Sequence, residues 1–177
     1  VNDEATRLRI QDILMVVGDG LSVRQKANLN RAIIRGFRNE NWAAERVKKA
    51  RYLWGRLKDL DLPVVHPAGG HAVFIDAAEL YQRLPEESHP EKAFLVQLYL
   101  DSGIMAGENM LTPFQRKQGI KMMRLALPMA SYNLTQMDYV AQSIGRVWKD
   151  RDKLRGLKKI KELPCVSGAF LAEFELK

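Results

Sequence analysis

Arg124 stands in the run MMRLALP, which alternates as a strand does. Met123, Leu125 and Leu127 fall on one face, and Met122, Arg124 and Ala126 on the other. An arginine between apolar neighbours in a strand costs free energy unless an anion meets it. Its planar fork offers a carboxylate or phosphate two parallel hydrogen bonds, which lysine cannot do. Two readings follow: an anion-binding arginine, or a structural salt bridge or edge-strand arginine reaching water. A second stretch, PVVHPAGGHAVFIDAAEL from Pro63 to Leu80, sets Gly69, Gly70 and His71 directly before an apolar strand. Glycines supply sharp turns or close backbone approach because they lack a Cβ. Strand alternation would place His71, Val73 and Ile75 on one face and Ala72, Phe74 and Asp76 on the other. A tight turn into a core strand with a satisfied histidine is the plain account, and a turn beside a ligand is the other.

Other chemistry is sparse. There is no P-loop, no GxSxG and no His/Glu zinc motif, and Gly18 and Gly20 form a GxG that follows a helix instead of a strand. Three histidines (His66, His71, His89) and the single Cys165 give no triad or metal-ligand spacing, so no metal site and no disulfide is expected.

The net charge of +7 is concentrated in two stretches. Arg31 to Lys58 holds nine basic residues against Glu40 and Glu45, and Arg146 to Lys161 holds eight against Asp150 and Asp152. Such stretches could hold phosphates, but a solvated helix face or acidic partner surface is the simpler account. No apolar run approaches the roughly 20 residues a membrane helix needs, and no signal-peptide pattern opens the chain, so a soluble cytoplasmic protein is the default. The valine at position 1 suggests a processed or truncated polypeptide.

The elements that must position these residues read as follows. Asn2 or Asp3 caps a helix that stops at Gly18-Asp19-Gly20, and Ser22 with Gln25 forms a capping box for the next. A break falls at Asn39-Glu40-Asn41, after which Ala43, Val47, Ala50, Trp54 and Leu57 form one helical stripe, with Trp54 in the core. A short strand near Val64-Val65, a strand from Ala72 to Ile75 and a short helix capped by Asp76 and Glu79 come next. Pro90 opens a helix that ends at Gly103. Met105 to Thr112 is ambiguous and Pro113 to Gly119 reads as loop. The Arg124 strand stops at Pro128. Thr135 and Asp138 cap a helix reaching Trp148, and two strands close the chain, Leu157 to Lys161 and Ala169 to Leu176. The pattern predicts an α+β fold, an antiparallel-rich sheet with helices packed on it.

Taken together, ERVKKARYL, PVVHPAGGHAVFIDA, LYLDSGI, RLALP and TQMDYV resemble, in order and spacing, the carboxy-terminal part of the aromatic amino acid β-eliminating lyases, the tryptophanase and tyrosine phenol-lyase family. The resemblance runs over nearly the whole chain, which is a few residues shorter between Gly18 and Asn30. It implies the small C-terminal domain of a fold-type I pyridoxal-phosphate enzyme over residues 40–177. Residues 1–39 would be helices left over from the large, cofactor-holding domain. It also implies a homo-oligomer and an amino acid substrate. By resemblance, Arg124 grips the substrate α-carboxylate, and Asn109 and Ala169 lie in the side-chain pocket. Asn109 is neither the arginine nor the isoleucine the family carries there, and Ala169 is smaller than its phenylalanine or histidine, which leaves the substrate open. Gly69, Gly70 and His71 are implied as supporting residues. The family's Schiff-base lysine falls before Val1, so no catalytic residue is expected in this chain and no elimination by it alone. Two other readings stay open: a non-catalytic module that binds a protein partner, and, less favoured, a basic nucleic-acid-binding domain.

Overall fold

Local chemistry sets the helix starts. The computed structural model describes residues 3–16, 18, 20–38, 41–108, 113–128, 131–164, 168 and 171–177. The expectations at Asn39-Glu40 and Cys165 lie outside the described residues. The chain groups into two units, Val1–Glu40 with Lys158–Glu175, and Asn41–Leu157 with Leu176–Lys177. In the first, α1 (Glu4–Val16) starts where Asp3 Oδ2 accepts the Thr6 N–H at 2.8 Å. The expected reciprocal box opens α2 (Val23–Arg38): Ser22 N–H donates to Gln25 Oε1 at 2.8 Å and Gln25 N–H to Ser22 Oγ at 3.3 Å. Both helices leave apolar side chains in water, among them Ile13, Leu14, Leu29 and Ile33. Strands β4 (Leu157–Lys161) and β5 (Glu173–Leu176) form a two-stranded sheet, whose salt bridges Lys158–Glu175 (3.1 Å) and Lys161–Glu173 (3.3 Å) lie in the first unit.

The second unit holds the expected α+β arrangement. Its sheet runs in the order β1 (Ala72–Asp76), β3 (Met122–Ala126), β2 (Gly107–Glu108), antiparallel throughout. Around it stand α3 (Asn41–Lys58), α4 (Pro90–Ser102), the short α5 (Pro113–Lys117) and α6 (Leu134–Lys149). Val73, Ile75, Met123 and Leu125 point to one side and close the core with Leu53, Leu57, Phe94, Leu98, Ile144 and Trp148. Phe94 and Trp148 meet edge to face at 5.8 Å, a favoured aromatic geometry. Helix α4 starts at Pro90 and stops at Gly103, which takes the left-handed φ of 71° that glycine tolerates. No described helix is long and apolar enough to cross a membrane.

Several expectations need correction. Val64 and Val65 form no strand; Val64 makes a single bridge to Ile75. The α3 stripe begins a turn later than expected: Ala43 is exposed, whereas Ala50, Leu53 and Leu57 are buried. Trp54 is only half-buried, with its Nε1–H donating to the Val65 carbonyl at 3.0 Å. The α6 box belongs to Asn133 and Gln136, two residues ahead of the expected Thr135 and Asp138, because Asn133 has the extended backbone a cap requires. Asp138 instead accepts from Tyr52 Oη (2.9 Å) and Arg56 Nε (2.8 Å) on α3. Residues read as ambiguous or loop contain β2 and α5.

One charged cluster gives the second unit a pH dependence. Tyr81 Oη donates to Glu91 Oε2, Lys121 Nζ lies 4.3 Å over the Tyr81 ring and 2.9 Å from Glu86, and Lys92 pairs with Glu108 at 3.4 Å. Burial, reinforced by the charge of Glu108, raises the Glu91 carboxyl above its ordinary value, against the lowering by the Tyr81 hydroxyl and Lys121. A raised carboxyl means the folded state holds its proton longer than the unfolded chain. Its contribution to stability is therefore full below about 4.5 and falls as pH rises toward the folded-state value. Glu91→Gln, which keeps an acceptor for Tyr81, is expected to lose this component. The variant should gain stability relative to the parent as pH is raised above about 4.5 in urea titrations, and a pH-independent difference would refute the assignment.

Candidate functional site

Strand pairing decides where Arg124 stands. It lies at the centre of β3, itself the central strand, opposite Phe74 of β1 and Gly107 of β2. Met123 and Leu125 fill the core, so alternation turns Arg124 outward. The side chain is exposed, which corrects the expectation that an anion must meet it to offset burial. Arg124 has no hydrogen bond or ion pair among the described residues, and its exposed side chain reaches water as the second reading expected, though from the central strand and not an edge. The alternative of a structural salt bridge has no partner among them.

The strand that carries it is held at both edges and at its end. Leu127 N–H donates to the His71 carbonyl at 2.8 Å, and Arg46 clamps the Leu127 carbonyl through Nε (3.1 Å) and Nη2 (2.9 Å). Nothing local in the sequence announces Arg46, because the two residues are 81 apart along the chain. Beyond the Arg124 face, at Ala126, opens an apolar groove of about 400 Å³ lined by Leu53, Ile104, Met105, Met137 and Val140. Tyr139 Oη, donating to the Ser102 carbonyl at 2.9 Å, joins two of its walls.

The glycine turn is a steric requirement at one position. A Cβ on Gly69 would lie 2.5 Å from the Ala72 carbonyl oxygen, a backbone atom that cannot step aside. At Gly70 the nearest atom would be Val47 Cγ2 at 3.8 Å, an ordinary contact. His71 departs from the alternation expected of it. The strand begins only at Ala72, and the exposed His71 ring stands edge-on to Phe74 at 6.4 Å. Asn109 and Ala169 lie outside the described residues. No group of three His, Cys, Asp or Glu side chains suited to a metal ion occurs among the described residues.

No family model matches the chain. Individual proteins do. It is 35% identical over 145 residues to a tyrosine phenol-lyase of Symbiobacterium sp., covering 77% of this chain and 31% of that protein. It is 36% identical over 157 residues to a probable tryptophanase of Aeropyrum pernix, covering 81% and 33%. It is 32% identical over 166 residues to a tyrosine phenol-lyase of Nostoc punctiforme, covering 89% and 35%. The chain therefore spans about a third of the length of the relatives it matches, and the resemblance read from its motifs holds.

The two glycines should separate cleanly on substitution. Gly69→Ala is expected to destabilise the fold by about 1–3 kcal/mol, the usual cost of forcing an atom into occupied space, while Gly70→Ala stays within about 0.5 kcal/mol. Denaturant melts of both variants check this, and equal losses would show that the turn is not set by the Ala72 carbonyl.

Proposed function

We propose that this chain is the carboxy-terminal portion of a pyridoxal-phosphate-dependent β-eliminating lyase acting on an amino acid. Residues 1–39 belong to its large domain, and residues from 40 onward form the small domain of a fold-type I enzyme. One observation carries the local part of this reading: an exposed arginine with no ion pair among the described residues, centred on the outward face of a three-stranded sheet. A carboxylate accepting two parallel bonds from that fork is fixed in direction as well as distance. Arg124 then has the role of orienting the substrate through its α-carboxylate, and Asn109 and Ala169 that of contacting its side chain. Gly69, Gly70 and His71 support β1 beside it. The apolar side chains that α1 and α2 leave exposed fit a surface covered in the parent enzyme, by its large domain or by a second copy in a homo-oligomer.

The residues of this chain do not fit the role of holding the cofactor. Pyridoxal phosphate supplies an electron sink when a protein lysine holds it as an imine, which calls for a desolvated ammonium of lowered pKa. Every lysine here is exposed or half-buried, and of the half-buried ones Lys92 and Lys121 are paired with Glu108 and Glu86. On this reading the chain alone neither holds the cofactor covalently nor releases pyruvate from amino acids. Incubation with pyridoxal phosphate followed by borohydride and peptide mapping checks this. A single lysine modified stoichiometrically would overturn it.

In the complete enzyme, Arg124→Ala is expected to lower kcat/KM by about 10- to 150-fold, the worth of hydrogen bonds to a charged group. Arg124→Lys keeps the charge but loses the paired planar donors, so it should recover only part of that. The loss should be shared by all amino acid substrates, since all carry the carboxylate. Normal turnover by Arg124→Ala refutes the role.

A further inference from the structure

The backbone pattern around Arg124 singles out a neighbour with no role so far. In an antiparallel ladder, directly opposed residues alternate between hydrogen-bonded pairs and closer, non-bonded pairs whose Cα atoms approach about 4.5 Å. Leu127 donates to the His71 carbonyl, which sets the hydrogen-bonded phase between β1 and β3. Counting two residues at a time places Val73–Leu125 and Ile75–Met123 in that phase. Phe74 and Arg124 fall in the other. The backbone of Phe74 agrees, because its carbonyl accepts from Val65 N–H at 2.9 Å, on the side away from β3. Phe74 and Arg124 are thus the closest kind of cross-strand pair, with both side chains on the outward face.

The two flanks of Arg124 differ. On the β2 side stands Gly107, which offers no side chain. On the β1 side stands the half-buried Phe74 ring, itself backed by the edge-on His71 ring at 6.4 Å. A long arginine in water samples many rotamers, and ordering it on binding costs affinity. The Phe74 ring makes no ring contact with the guanidinium in the structure; as a bulky cross-strand neighbour on one side only, it restricts the rotamers open to Arg124 on that side.

We propose that Phe74 is a positioning residue for Arg124, holding its guanidinium ready for a carboxylate; this rests on the reading of Arg124 as the carboxylate-binding group. The test uses the full 177-residue chain labelled with ¹⁵N, sodium pyruvate as the probe, and the Arg124 Nε–Hε resonance as the reporter. In the parent chain pyruvate should shift this resonance, and Arg124→Ala should abolish saturable binding. Phe74→Leu should weaken pyruvate binding by about 2- to 12-fold, the cost of ordering one long side chain. It should also lower the Nε–Hε heteronuclear NOE in the ligand-free chain, a change that loss of fold stability alone does not produce. Phe74→Tyr should restore both. If pyruvate binds equally well to Arg124→Ala, or does not shift the parent resonance, the carboxylate reading fails and this inference with it. If Arg124→Ala abolishes binding while Phe74→Leu matches the parent in affinity and NOE, only the positioning role is overturned.

Discussion

Alternation along β3 is the constraint from which the rest of the second unit follows. The strand has a neighbour on each side, so its backbone donors and acceptors are largely committed and its side chains can go only up or down. Met123 and Leu125 must face the helices, because they are the apolar groups with core volume to fill. That obligation leaves the opposite face no choice of residue orientation. Sliding the register by one residue would bury Arg124 and expose Met123 and Leu125, a penalty large enough to fix the pairing. The position of the guanidinium is therefore a by-product of core formation. It does not depend on what binds there.

Elements whose signals are short-range were legible in the sequence. Asp3, the Ser22–Gln25 box, Pro90, Gly103 and the alternation of MMRLA each act within four residues, and each appears where the spacing placed it. Failures came where the deciding partner is remote or the local signal is duplicated. Asn133 and Thr135 both precede a plausible third residue, and only the backbone angle at Asn133 selects it. Asp138 was spent on the wrong job because Tyr52 and Arg56 are invisible from its neighbourhood. β2 has two residues and no side-chain alternation to display, so nothing but pairing with Arg124 and Met123 defines it.

The candidate site was legible in part, and for a reason that needed revision. Arg124 drew attention as a charge expected among apolar neighbours, yet it is exposed. Its interest rests instead on a central place in the sheet, with no ion partner among the described residues. The neighbours of its strand, Arg46 on the Leu127 carbonyl and Phe74 opposite Arg124 across the ladder, could not be read from composition or spacing, since both relations exist only after the strands pair.

The bond between Asp138 and the α3 side chains has a consequence for how the chain reaches this structure. It joins residues 82 and 86 positions apart, and β1 joins β3 across some fifty more central ones. Contacts of such span are bought with loop-closure entropy before they return any enthalpy, and topologies dominated by them fold more slowly than local bundles. α3 and α6 bracket everything that forms the sheet between them. A ribosome must therefore release α6 before α3 can acquire its partner, and until then the apolar stripe of Ala50, Leu53 and Leu57 stays uncovered by it.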